Sequence, residues 1–321
     1  MTKEDLRIVF MGTPEFAVET LKALVENGYQ VVAVVTQPDK PVGRHQNEVQ
    51  PSEVKKFALA HHLPVLQPEK MKDPAFVEQL RSYQANLQVV VAFRMLPEVV
   101  WAMPEYGTFN VHAALLPQYR GAAPINWAVI NGETQTGVTT FFLDHEIDTG
   151  RIILQKPFDI PDTADVEYVY DGLMHLGAQI CLETLDSIIR GDGRVASLPQ
   201  TDAPDLKPAP KIFKETCEIN WHLPAKRIYD FIRGLSPYPG AWTTLAGPDG
   251  KCVVLKIYKT AKTESKTDLR PGTIVVQKGS LFIAAADYLL QVDELQMAGK
   301  KRMKARDFLN GNKNFENYII N

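Results

Sequence analysis

Asn110 and His112 stand two residues apart in the run FNVHAALLPQYRGAAP, a spacing that puts both side chains on one face of a β-strand. Phe109 and Val111 would face the other way, into a core. An amide and an imidazole in such a strand need partners, because a buried polar group left unpaired costs about 1–3 kcal/mol. A second polar group, Asp144, His145, Glu146 and Asp148, follows the next apolar run and ends at Thr149-Gly150. No Ser or Cys accompanies these residues as a nucleophile beside its base, so a covalent acyl intermediate lacks support. Direct transfer suits them better. When an amine attacks a carbonyl carbon, the amide NH₂ and a protonated imidazole can donate to the developing oxyanion, and one such donor is worth on the order of 10²–10³ in rate. A carboxylate nearby favours the imidazolium and can pass the amine's proton on through water. Residue types alone leave two other readings open: an Asn/His pair satisfied by the fold, and a solvated acidic turn. A metal site would need a further local ligand beside His112.

The elements that must position these groups are legible from periodicity. Leu6–Met11 reads as a strand, Gly12-Thr13-Pro14 as a turn, and FAVETLKALVENG as a helix stopping at Asn27-Gly28. Val31–Thr36 is a second strand, Glu53–His61 a helix and Leu87–Phe93 a strongly apolar strand. Further strands are expected at Phe109–His112 and Gly137–Leu143, a helix start at Pro124, and a long helix over Val166–Ile189. Strands alternating with helices predict an α/β domain, a Rossmann-like open and mostly parallel sheet over residues 1–190. In such sheets ligands bind beyond the carboxyl ends of strands. Residues 191–209 hold glycine and proline clusters without periodicity and read as a linker. Over residues 210–321, a helix at Ala225–Arg233 and short strands at Ala241–Leu245, Val253–Tyr258, Gly272–Val276, Leu281–Ala285 and Leu289–Leu295 predict a small OB-like β-barrel.

The length of 321 residues favours two domains. A formal net charge of −3 gives no overall attraction to polyanions, so any nucleic-acid contact must use a local patch. Cys181, Cys217 and Cys252 are far apart and form no CxxC pair, which predicts reduced thiols in a cytoplasmic protein. The amino terminus passes directly into a strand and no window approaches a membrane span, so neither a leader nor an anchor is expected.

The run NVHAALLPQYRGAAPINWA, followed by GVTTFFLDHEIDTG, resembles the folate-dependent formyltransferases. RIVFMGTPEFAV, VVTQPDKPVGR, VVVAFRMLP, INWHLPAKRIYDFIRGLSPYPGAW and LQMAGKKRM support it, in order, along nearly the whole chain. The resemblance implies an enzyme that moves the formyl group of 10-formyltetrahydrofolate, a co-substrate, to the α-amino group of methionine on initiator tRNA, for translation initiation. It implies Asn110, His112 and Asp148 as the catalytic trio, with Asp144 and Glu146 outside it. It implies cofactor contacts from Phe93, Arg94, Met95, Leu96 and Pro97, and from Ala114, Leu115, Leu116 and Pro117, where Ala114 replaces the family's Ser. Neither a metal, a membrane nor an obligate protein partner is implied.

In the resembled family an insertion after the second strand enters the acceptor stem, and here that insertion is QPDKPVGRHQNEVQP. Its prolines and glycine make it a shaped loop rather than an element, with Lys40 and Arg44 as its tRNA-facing cations. Lys300, Lys301, Arg302, Lys304 and Arg306 form a denser patch suited to phosphates. Taken alone, such a run is more often a solvated face. Three alternatives can be weighed. A formyltransferase for an amino sugar nucleotide would dispense with both tRNA-facing segments. A nucleotide-dependent dehydrogenase would need the GxGxxG turn that FMGTPEFA lacks. A noncatalytic RNA-binding module would need neither Asn110 nor His112 at a strand end.

Overall fold

The computed structural model describes residues 1–42 and 48–320, which divide into two compact units. The first holds residues 1–121, 136–159 and 170–208; the second holds 122–135, 160–169 and 209 onward.

In chain order the elements are β1 (Arg7–Gly12), α1 (Glu15–Glu26), β2 (Gln30–Val35), β3 (Lys40–Val42), β4 (Glu48–Gln50), α2 (Glu53–Ala60), β5 (Val65–Leu66), α3 (Pro74–Ser82), β6 (Leu87–Val91), α4 (Glu98–Trp101) and β7 (Thr108–His112). They continue with α5 (Pro124–Ile130), β8 (Gln135–Phe142), β9 (Ile152–Asp159) and α6 (Val166–Arg190). Local chemistry sets the ends of the helices. Gly28 takes φ +74° just past α1. The Ser52 hydroxyl caps α2 through Lys55 N–H, and Asp73 caps α3 through Ala75 N–H ahead of Pro74.

The first unit's sheet runs β5-β2-β1-β6-β7-β8-β9. β1 pairs in parallel with β2 and β6, and β6 with β7, whereas β8 is antiparallel to β7. All five residues of β6 are buried, as a central strand covered on both faces requires. The chain winds outward from β1 to β5 and then returns to place β6 on β1's other side. The order therefore reverses between β1 and β6, where open sheets bind ligands. Gly12 is needed at that point: a Cβ there would lie 2.7 Å from the Ala17 Cβ and 3.0 Å from the Val91 carbonyl.

β9, α3 and β5 are additions to the sequence reading. In β9 the run IILQKPFD is interrupted by Pro157, but β9 ends the sheet order, where a residue without an N–H is tolerated. The insertion also differs from the expected loop. Its ends pair as a short antiparallel ribbon, Lys40 opposite Gln50 and Pro41 opposite Val49, whose two strands need only one partner each. Arg44 lies outside the described residues.

The second unit adds α7 (Ala225–Gly234), β10 (Ala241–Ala246), β11 (Cys252–Lys266), β12 (Ile274–Gln277), β13 (Ser280–Ala284), β14 (Tyr288–Met297), β15 (Met303–Lys304), α8 (Ala305–Gly311) and β16 (Ile319–Ile320). Its antiparallel sheet, in the order β12-β13-β14-β11-β10-β16, curls as a half-barrel. β11 runs well past the expected Tyr258: exposed Lys259, Lys262 and Glu264 are interleaved with buried Thr260 and partly buried Thr263 as the strand continues beside β14. The core joins Leu245, Leu255, Ile257, Leu281, Ile283 and Leu295 to Ile228 and Ile232 of α7 and to Ile130 of α5.

Candidate active site

Asn110 and His112 share the face of β7 that the period-2 spacing predicts, and His112 is 7% exposed. Because Val90 lies opposite Asn110 and Val91 opposite Val111, the loop leaving β6 at Ala92 emerges beside His112. His112 Nε2 meets the carbonyl oxygen of Tyr119 at 3.0 Å. A carbonyl only accepts, so this ring nitrogen carries a hydrogen. His112 Nδ1 faces Asp148 Oδ2 at 3.8 Å, beyond direct hydrogen-bond distance. The Oδ1 of Asn110 is buried without a partner.

β8 runs antiparallel to β7, with Phe142 opposite Phe109, so its carboxyl end lies toward the start of β7. The chain from Asp144 onward must double back before Asp148 can reach His112. Asp148 does so in the left-handed region, at φ +56°. Its Oδ2 accepts from Gly121 N–H at 2.8 Å. Asp144, His145 and Glu146 are exposed, and Asp144 Oδ1 is occupied by the His145 N–H. Of the acidic cluster, the geometry brings Asp148 alone against the imidazole.

Ala114–Pro117 is fixed from the sheet. Thr139 donates through its hydroxyl to the Ala114 carbonyl at 2.6 Å and accepts from Leu116 N–H at 3.1 Å, while Gln155 Nε2 donates to the Leu116 carbonyl at 2.7 Å. Ala114 is wholly buried; Leu115 and Pro117 are partly exposed. In the loop after β6, Leu96 is buried, Met95 is 67% exposed, and Phe93 and Pro97 are in between. Arg94 turns to the backbone, its guanidinium donating to the carbonyls of Glu69, at 2.8 Å, and Pro68. Burial holds that guanidinium below its ordinary pKa, and its Nε has no partner.

On the second unit Lys300, Lys301, Lys304 and Arg306 are exposed. Arg302 is already engaged, 2.6 Å from Glu294 and 4.4 Å above the Tyr258 ring. A cleft of about 890 Å³ there is lined by Lys304 and Arg306 together with Lys259, Lys278 and Lys313, cations that sequence reasoning missed because they are scattered along the chain. Asp293, Glu294 and Glu316 line it too, which tempers its positive field. Lys40 is exposed on the first unit's ribbon.

Residues 6–185 match the profile described as formyl transferase, and residues 211–313 match the formyl transferase C-terminal domain. The chain is thus a formyltransferase. The methionyl-tRNA formyltransferase of Parabacteroides distasonis is 59% identical over 325 residues, covering 100% of both chains, and that of Porphyromonas gingivalis strain W83 is 49% identical over 97% of each. The chain belongs to the methionyl-tRNA formyltransferase family. Among solved structures, HypX from Aquifex aeolicus in complex with tetrahydrofolic acid matches 95% of this chain with a TM-score of 0.63 at 19% identity, this chain spanning 47% of that one. WlaRD, a sugar 3N-formyl transferase, matches 92% of this chain and 99% of its own with a TM-score of 0.62 at 18% identity. At these identities the likeness is one of fold.

Proposed function

We propose that the chain transfers the formyl group of 10-formyltetrahydrofolate to the α-amino group of methionine on initiator tRNA, with Asn110, His112 and Asp148 at the reacting centre. The observation that carries this reading is the unpartnered, buried Oδ1 of Asn110 on the same strand face as His112, whose Nδ1 faces Asp148. An orphaned buried acceptor is costly unless a ligand supplies its donor, and an amine N–H is such a donor.

The co-substrate supplies an electrophilic formyl carbon. Asn110 Oδ1 accepts from the attacking amine while its Nδ2 donates to the formyl oxygen. Tyr119 occupies His112 Nε2, so Nδ1 is the ring nitrogen left to donate to that oxygen as negative charge develops. As the new C–N bond forms and the bond from the formyl carbon to the folate nitrogen breaks, the amine loses one proton and the leaving nitrogen gains one. Asp148, held by Gly121, stabilises the imidazolium and relays that proton through water. Leu115–Pro117 and the Phe93–Pro97 loop border this centre and hold the folate; Lys40, Arg44 and the Lys300–Arg306 segment hold the tRNA.

The test is formylation of charged initiator tRNA by wild type and by His112→Ala. Loss of transfer with retained folate binding supports the reading; full activity in the variant would sink it.

A further inference from the structure

Gln200 lies between the two stretches that match the formyltransferase profiles, in a segment with no periodicity of its own. Its side chain nevertheless makes four hydrogen bonds beside the candidate centre. Nε2 donates to the carbonyl of Asp148 at 2.8 Å and to the carbonyl of Gly150 at 2.8 Å. Oε1 accepts from Arg120 Nε at 3.1 Å and from Arg120 Nη2 at 2.8 Å. Arg120 immediately precedes Gly121, whose N–H holds the Asp148 carboxylate. One amide thus ties together the backbone that carries Asp148 and the residue beside the donor that aims it.

The neighbouring residues seat this amide. Leu198 and Ile152 exchange backbone hydrogen bonds of 2.8 Å each, and Arg151 Nε donates to the Ser197 hydroxyl at 2.9 Å. Further on, the Lys207 carbonyl accepts from the N–H of Tyr119, the residue whose own carbonyl meets His112. The turn needs such support. Asp148 sits at φ +56°, a strained conformation for a non-glycine residue that persists when its surroundings impose it.

We infer that Gln200 is a positioning residue for formyl transfer, holding the Asp148–Gly150 turn and Arg120 so that the Asp148 carboxylate faces His112. The inference rests on the catalytic reading of Asp148 given above. Gln200→Leu keeps the volume and removes all four bonds. Gln200→Glu keeps the acceptor for Arg120 but sets carboxylate oxygens against two carbonyl oxygens.

The experiment measures formylation kinetics and thermal midpoints of the full chain for Gln200→Leu, Gln200→Glu, Asp148→Asn and the double variant Gln200→Leu/Asp148→Asn. Gln200→Leu should lower kcat about tenfold, with KM for both substrates within about twofold and an unchanged midpoint. Gln200→Glu should lose at least as much. Because Gln200 acts through Asp148, Gln200→Leu should cost little more once Asp148→Asn is present. Full kcat in both folded Gln200 variants, or losses that multiply in the double variant, would overturn the inference while leaving the trio intact. If Asp148→Asn itself keeps full activity, the catalytic reading falls, and this inference with it. If Gln200→Leu lowers the midpoint, Gln200→Glu decides by the same kcat criterion.

Discussion

The backbone N–H of Gly121 donates to Asp148 Oδ2 at 2.8 Å, and the same oxygen is the one that His112 Nδ1 faces at 3.8 Å. A single carboxylate oxygen therefore takes its position from one loop and gives its charge to the last residue of β7. Asp148→Asn can keep the acceptor for Gly121 but removes the charge. Asn110→Ala, His112→Ala and Asp148→Asn are each expected to lower formyl transfer by at least about 10²-fold, with thermal midpoints nearly unchanged. Asp144→Asn should cost less than about twofold, since Asp144 is exposed and bonded within its own turn. Steady-state rates and melts of the four variants check this, and an Asp144 effect as large as that of Asp148 refutes it.

Gly137 and Gly150 are crowded in different ways. A Cβ on Gly150 would lie 1.7 Å from the Phe142 carbonyl, and one on Gly137 would lie 2.1 Å from the Lys156 carbonyl and 2.5 Å from Leu115 Cδ2. Backbone on both sides must move. Gly150→Ala is expected to displace the Asp148 turn and lower kcat, whereas Gly137→Ala should displace the Leu115 loop and raise the KM for the folate co-substrate. Measuring the two constants separately distinguishes them. Equal effects on both constants in both variants would mean that the loops do not divide the work.

Asp39 offers a pH signature. The Lys55 ammonium, 2.6 Å away, and then the Gln67 amide, 2.7 Å away, hydrogen-bond its carboxylate and lower its pKa below the ordinary value. A lowered native pKa means that the unfolded chain binds the proton more tightly. The contribution is therefore complete above the ordinary carboxylate range and is lost as pH falls through the depressed value. Asp39→Asn should lower the midpoint at neutral pH and narrow its gap to wild type toward acid. A gap that stays constant down the acid limb would show that the charge on Asp39 is irrelevant.

The basic segment should not act as a unit. Lys300 and Lys301 are exposed without a carboxylate partner among the described ion pairs, whereas Arg302 is held by Glu294 and seated on Tyr258. Each phosphate neutralised contributes roughly 0.7–0.9 to the slope of log affinity against log salt. Replacing Lys300 and Lys301 by Ala should flatten the slope for tRNA by roughly 1.5, while Arg302→Ala changes it by less than about half a unit. Filter binding across a salt series reads both. A larger change from Arg302→Ala would mean that the Glu294 pair opens on RNA.

Much of this architecture is readable from periodicity, because β1, β2, β6 and β7 are apolar enough to be buried and short enough to be strands. Asn110 and His112 are readable for the same reason: a two-residue repeat assigns them a face. Asp148 is not distinguished by spacing from Asp144 or Glu146. What separates it is a left-handed turn and the Gly121 N–H, both of which depend on a chain reversal after an antiparallel strand. Gln200 carries no signal, since its partners are mostly backbone carbonyls and any polar residue could stand in such a segment. In α3 the signal was present, an Asp73-Pro74 start, but α3 buries Phe76, Val77 and Leu80 on a short and otherwise polar helix.

The placement of α5 constrains how the protein emerges from the ribosome. Ile130 packs against Gly234, where an added Cβ would lie 2.6 Å from Ile130 Cγ1, and Asn126 Nδ2 donates to the Gly234 carbonyl at 2.9 Å. Trp127 Nε1 donates to the Pro210 carbonyl at 2.8 Å. This helix is synthesised between β7 and β8 yet finds its packing only when residue 234 has been made. During translation its apolar side waits, uncovered, while the strands on either side of it are already available to pair. The second core thus closes late and around an early segment, so synthesis of the first unit is finished while α5, already made, still waits for residues 210–234 of its own unit.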